Sequence, residues 1–293
     1  METRSRIIED MMPQELKFYE FGEGSPKVFF TAGLHGGEAT GIYAAERIIT
    51  FLQENPLLKG SVKVLPIGNP AAFRRMQRTS PYDELDLNRS FPGRPDSVPT
   101  LALANVIWEE AQDASYIVDL HCCGVYAASY TLAVYEDFEF AKELSTRLAI
   151  PRVIKSGGTR GQLFTDACAA GIPAVIIELP GGGQGGVIDV SAGDECYEAL
   201  VGLLRQYGMV EGEPNNPEPK FYGPLQPVSC ANNGLWMPKL KPGTPVVKGD
   251  VIGHLDGVEI VSPVDGTTMM MRPPSYVFKG MPLASVAALE RSQ

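Results

Sequence analysis

Lys27-Val28-Phe29-Phe30-Thr31-Ala32-Gly33-Leu34-His35-Gly36-Gly37-Glu38 is the stretch from which the fold of this chain can be read. Its first half, Lys27–Ala32, is an apolar run of strand length. Directly after it Ile42, Ala45, Ile48, Ile49 and Leu52 recur at helical spacing, so strand, turn and a helix over Thr40–Gln53 are expected. His35 and Glu38 sit on the turn with two glycines between them. The expected reason is that Gly36 and Gly37 take φ values other residues resist, letting the imidazole and the carboxylate face one point. Two further apolar runs end in the same way: Tyr116–His121 closes on Val118-Asp119-Leu120-His121, and Ala174–Leu179 on Val175-Ile176-Ile177-Glu178. Three buried strands that each deliver a polar side chain at the carboxyl end make the layout in which open α/β sheets hold their ligands.

Working outward, strands are expected at Leu16–Phe21, Ser61–Ile67 and Ser129–Val134, and helices at Pro99–Gln112, Asp137–Leu148, Leu163–Ala170 and Ser191–Tyr207. Residues 1–26 otherwise read as a lead-in. Residues 71–94 read as one long polar loop, a length that in compact domains is usually functional. The alternation of strands and helices predicts an α/β/α sandwich around a mixed sheet over 1–208. A linker follows at 209–220, rich in Pro, Asn and Glu. Residues 221–293 change texture to short β runs punctuated by Gly and Pro, which predicts a small all-β domain.

The 293-residue chain carries a net charge of −10, which argues against nucleic acid and anionic membranes as partners. No apolar run is long enough to span a bilayer, and the first residues lead into no signal-like core. Five cysteines without paired spacing read as reduced thiols, pointing to the cytoplasm.

Two His and one Glu form a known ligand set for a catalytic zinc with an open fourth position, and His35, Glu38 and His121 fit it. Asp119, two residues before His121, lies on the same strand face and is placed to accept the second N–H of that imidazole. Glu178 ends an apolar strand, where desolvation favours its neutral form and suits a general base near neutral pH. The remaining histidine, His254, lies in the β segment and reads as structural. With both other histidines assigned to metal, Cys122 and Cys123 lack a base and do not read as nucleophiles. The polar loop supplies Arg74, Arg75, Arg78, Arg89 and Arg94, a local positive patch suited to a carboxylate or an oxyanion. Arg74 and Arg94 read as solvated. Asn88 adds an amide, and Arg160, in the Gly-rich Ser156–Gly161 loop, is a further candidate anion contact.

At these residues the sequence resembles the succinylglutamate desuccinylase/aspartoacylase family of zinc hydrolases, relatives of the zinc carboxypeptidases. The resemblance rests on His35-Gly-Gly-Glu38, Asn69-Pro70, the Arg78 region, Asp86-Leu87-Asn88-Arg89, Asp119-Leu-His121 and Glu178 with its following glycines. It implies a carboxypeptidase-like α/β fold, one zinc held by His35, Glu38 and His121, and Glu178 as general base. It also implies Arg78 as the carbonyl-polarising arginine, Asn88 and Arg89 as contacts to a substrate carboxylate, and a barrel-sandwich-like β domain that offers an aromatic such as Tyr276. Gly37 stands where relatives often carry an acid, and no Met-Lys-Met carrier motif is present. The expected activity is hydrolysis of the amide of an N-acylated amino acid or similar small carboxylated amine. A zinc carboxypeptidase acting on short peptides and a non-catalytic metal- or ligand-binding protein are the alternatives, and a homo-oligomer is compatible with the sequence.

Overall fold

The computed structural model describes residues 1–8, 14–214 and 218–290. Residues 215–217 of the expected linker lie outside them. The centre is a ten-stranded mixed sheet. Its strands are β1 (Glu2–Ile8), β2 (Gln14–Glu23), β3 (Lys27–Ala32), β4 (Gly60–Leu65), β5 (Tyr116–Gly124), β6 (Tyr130–Ala133), β7 (Arg152–Lys155), β8 (Ala174–Gly182), β9 (Val187–Ile188) and β10 (Lys220–Tyr222). They run in the order β1-β2-β4-β3-β5-β8-β6-β7-β10, with β9 paired to β8. The four neighbours β4, β3, β5 and β8 are mutually parallel, while β1, β2 and β6 enter antiparallel.

Covered on both faces, the central strands read as continuous apolar runs. Alternate residues divide them between two cores. Val28, Phe30, Val118, Leu120, Val175 and Ile177 pack with α1 (Ala39–Glu54) and α6 (Val190–Gln206). Phe29, Ile117 and Ile176 pack with α3 (Pro99–Ala111) and α5 (Leu163–Ala169) on the other face. A shorter α2 (Pro70–Arg75) and α4 (Glu139–Arg147) are the other α-helices among the described residues.

Three expectations need correction. Beyond the strand expected at Leu16–Phe21, the first residues are not a lead-in: β1 forms the edge of the sheet beside β2, and Arg4 on β1 donates to Glu20 and to Glu110 of α3, fixing that edge. Residues 71–94 are not one loop: Asn69 caps α2, its Oδ1 accepting from Ala72 N at 3.1 Å with Pro70 as first helical residue, and Leu87–Arg89 form a 3-10 turn. Finally, Gly36 and Gly37 have no positive φ. Close approach requires them instead: a Cβ on Gly36 would lie 2.0 Å from the Ala72 carbonyl carbon, and one on Gly37 would lie 2.4 Å from Gly183 O.

Beyond the central sheet stand two four-stranded sheets whose strand pairs are antiparallel. They close over Trp236, Ile252, Val277 and Leu283. Strand Gly266–Met271 grips the segment that follows β5: Met271 N donates to Tyr126 O at 2.9 Å, and Ala128 N to Met269 O at 2.8 Å.

Candidate metal centre and active site

Parallel register sets His121 of β5 beside Glu178 of β8, and Asp119 beside Thr31 of β3. Strand alternation turns Asp119, His121 and Glu178 to the α3/α5 face. The turn after β3 brings His35 and Glu38 to the same place, because Gly36 lets it seat against α2 and Gly37 against the loop after β8. Glu38 is the residue before α1, yet its side chain makes no cap bond. It faces the imidazoles instead: His35 Nδ1 is 2.8 Å from Oε1 and His121 Nδ1 is 2.8 Å from Oε2. Cys122 N also donates to Oε2, at 3.0 Å. One donor atom from each of His35, Glu38 and His121 lies within 4.8 Å of the others, an arrangement able to hold a metal ion.

Both imidazoles present Nδ1 to the cluster and Nε2 to a carboxylate. His121 Nε2 lies 2.8 Å from Asp119 Oδ2, and the Thr31 hydroxyl donates to Asp119 Oδ1 at 2.6 Å. His35 Nε2 lies 3.0 Å from Asp86 Oδ1. Burial pulls the His121 pKa down, but the charges of Asp119 and Glu38 outweigh it and leave it well raised; His35 is raised against its own burial by Glu38 and Asp86. The surroundings therefore favour positive charge between the rings.

Glu178 is the counterpart. Burial pushes its carboxyl up to about 7, with the His121 charge opposing and that of Glu38 adding. Its Oε2 is buried and has no hydrogen-bond partner. Cys122 is held as a thiol, raised to about 12 by burial and by the Glu38 charge, and Cys123 is likewise raised by burial.

Arg78 reaches the cluster, with Nη1 3.5 Å from His35 Nδ1 and 3.8 Å from Glu38 Oε1. Asn88 is buried: its Oδ1 accepts from Leu163 N at 3.0 Å, and its Nδ2 is 3.3 Å from His121 Nε2. Arg89 is exposed and donates to Asn88 O. Arg160 is exposed and pairs with Asp166 of α5 at 2.6 Å, on a loop that meets the Arg89 segment through Phe91 N to Gly161 O at 3.0 Å. Tyr276 is exposed and stacks edge-on with Phe278 at 5.7 Å, and His254 lies cross-strand from Glu259. Sequence reasoning missed Asp86. It stands in the Asp-Leu-Asn-Arg stretch read for its amide and guanidinium, and no periodicity marks its carboxylate.

A sequence model described as the succinylglutamate desuccinylase/aspartoacylase catalytic domain matches residues 24–201. An N-alpha-acetyl-L-2,4-diaminobutyric acid deacetylase of Halomonas elongata is 31% identical, over 92% of this chain and 84% of its own. Among solved structures, a succinylglutamate desuccinylase/aspartoacylase from Rhodobacter sphaeroides superimposes with a TM-score of 0.82 at 23% identity, covering 95% of this chain and 90% of its own. An aspartoacylase family protein from Mesorhizobium loti reaches 0.84 at 22%, covering 99% and 95%. The product-bound ectoine utilization protein EutE (DoeB) of Ruegeria pomeroyi reaches 0.80 at 24%, covering 94% and 89%. The expected carboxypeptidase-like α/β/α sandwich with additional β sheets is the fold these chains share.

Proposed function

Since the chain belongs to the succinylglutamate desuccinylase/aspartoacylase family, we propose that it is a zinc-dependent amidohydrolase that removes the acyl group from a small N-acylated amino acid. The deacetylase relative supports the acyl-amide chemistry and makes acetyl the first acyl group to test. His35 Nδ1, the Glu38 carboxylate and His121 Nδ1 would hold the zinc. Two imidazole nitrogens and one carboxylate suit that ion, and the raised pKa values of the rings reflect surroundings that favour a cation. Bound there, zinc would supply Lewis-acid activation of water and of the amide carbonyl.

The chain's own groups do the rest. Glu178 Oε2 takes a proton from the attacking water and returns it to the leaving nitrogen, a task that needs an unshared carboxylate with a pKa near the working pH. The Arg78 guanidinium stabilises negative charge on the carbonyl oxygen. Asn88 and Arg89 receive the substrate carboxylate, with Arg160 as a further cation on the adjoining loop. Asp119 fixes the His121 tautomer with Nε2 protonated.

The observation that carries this reading is the unpartnered Glu178 oxygen beside the His35–Glu38–His121 cluster. The test is metal content and hydrolysis measured on one preparation. The panel comprises N-acetyl, N-formyl and N-succinyl amino acids, Nα-acetyl-2,4-diaminobutyrate and short peptides. We expect about one zinc per chain and turnover of an acylated amino acid that chelation abolishes. Glu178→Gln should keep the zinc and lose roughly 10²–10⁴-fold in rate. Turnover of peptides alone would make the protein a carboxypeptidase. Failure to take up zinc would overturn the site.

A further inference from the structure

The two imidazoles are not supported alike. Asp119 serves His121 and is itself held by Thr31, inside the sheet. Asp86 divides its two oxygens between different parts of the site. Its Oδ1 accepts from His35 Nε2 at 3.0 Å and from Asn88 N at 2.9 Å. Its Oδ2 accepts from Arg78 Nε at 2.9 Å, and Nη2 of the same guanidinium lies 2.9 Å away. The Asn88 N–H fixes the carboxylate plane, because Asp86 is the residue before the 3-10 turn at Leu87–Arg89 and its side chain makes the cap. With that plane fixed, neither His35 nor Arg78 can move without lengthening a charge-assisted bond to the same group. Arg78 needs this hold more than the ring does, since its side chain is 52% exposed whereas that of His35 is 3% exposed.

We propose that Asp86 is a positioning residue that joins metal retention to anion capture, holding the ligand His35 with one oxygen and the guanidinium of Arg78 with the other. The proposal rests on the reading that His35, Glu38 and His121 bind a divalent cation, and it extends that reading to a residue that touches neither metal nor substrate. Asp119 serves a ligand ring alone, that of His121; Asp86 serves both a ligand ring and the guanidinium. Loss of Asp86 should therefore damage two measurable properties, and loss of Asp119 only one.

The test needs no substrate. Zinc affinity is measured by chelator competition on the full chain. Acetate affinity is measured separately on protein saturated with cobalt(II), from the change that acetate causes in the cobalt absorption. Asp86→Asn should weaken zinc binding roughly 10–100-fold, as loss of a carboxylate behind a ligand His does. At full cobalt occupancy it should also weaken acetate binding about as much as Arg78→Lys does, roughly tenfold for a lost charge-assisted contact. The Asp86→Asn/Arg78→Lys pair should lose little more acetate affinity than either single variant, because the two act through one contact. Asp119→Asn should weaken zinc binding but leave acetate affinity at saturating cobalt unchanged. Unaltered zinc affinity in Asp86→Asn, or acetate losses that simply add, would overturn the proposal. A failure of every variant and the parent to bind either metal would instead sink the metal site itself, and an inert but metal-binding protein would leave both measurements valid. Circular dichroism on each variant separates these outcomes from misfolding.

Discussion

Glu178 has a buried carboxylate oxygen that no donor reaches, in a family that hydrolyses amides. In the proposed mechanism it works as a carboxylate, so rate should fall as pH drops through its pKa. Burial puts that pKa at about 7, and a dication beside it would draw it lower. The acid limb of kcat/KM should therefore have its midpoint below neutral; a profile flat down to pH 5 would contradict the assignment. The neighbouring thiols give an opposite expectation. Raised by burial, Cys122 and Cys123 should stay unalkylated by iodoacetamide at pH 8 in the folded chain, which intact-mass measurement checks. At this scale the sequence shows His35, Glu38, His121, Asp119 and Glu178 because each ends a run or stands at a fixed offset from another. Asp86 has no such signature. It faces His35 across 51 positions of chain, and only the folded path of the polar segment reveals the pairing.

At the scale of elements, the turn between β3 and α1 depends on backbone clearance. Gly36→Ala would drive a methyl into the Ala72 carbonyl of α2, so α2 or the turn must shift. Overpacking of this kind costs about 1–3 kcal/mol, and zinc affinity should fall with it because His35 moves. A second expectation concerns the edge of the sheet. Burial raises the Glu110 carboxyl, but bonds from Arg4 and Lys63 outweigh it and bring it to about 2, from an ordinary 4.5. A depressed folded pKa stabilises the fold above the unfolded value, and that stabilisation disappears as pH falls from about 4.5 toward 2. The difference in stability between the parent and Glu110→Gln should accordingly shrink through this window in denaturant titrations at successive pH values. Strands β3, β5 and β8 and helix α1 are legible because burial on two faces, or on one stripe, writes a period into the sequence. Strand β1 is not, since Thr3, Arg4, Ser5 and Arg6 are the residues of an exposed edge. Strand β7 is four residues and β9 two, too short to show a period, while α2, read as part of one polar loop, has its signal in Asn69-Pro70, a cap followed by a first helical residue.

For the whole molecule, no described helix is long and apolar enough to cross a membrane. Asp119 and Asp86 hold the two imidazoles through Nε2, the nitrogen turned away from the cluster, and the two large apolar cores lie on the faces of the sheet. Zinc should therefore not be needed for folding. Chelation should leave the far-ultraviolet spectrum unchanged yet lower Tm by several degrees, since a ligand at a thousand times its Kd contributes about 4 kcal/mol. A metal-free chain that unfolds outright would refute this. The boundary expected from composition is less sharp in three dimensions. Strand β10 starts on Lys220, the last residue of the expected linker, and pairs with β7 of the central sheet, and the Tyr135 hydroxyl donates to Tyr222 O at 2.9 Å. Tyr130, Ile154, Tyr222, Met269 and Ala287 share one apolar cluster, so parts of the chain far apart in sequence interdigitate.

This joint has a consequence for a cut chain. A protease site inserted after the exposed Glu213 should yield two polypeptides that still elute as one species in size-exclusion chromatography. The smaller piece keeps its hold through β10 and through the backbone bonds of Met269 and Met271 to the segment that follows His121. Separating the halves would leave β7 as an open edge and uncover the shared apolar cluster, so the larger fragment expressed alone should precipitate. The protein would then behave toward proteolysis as a nicked but undivided body, whose activity outlasts the continuity of its chain.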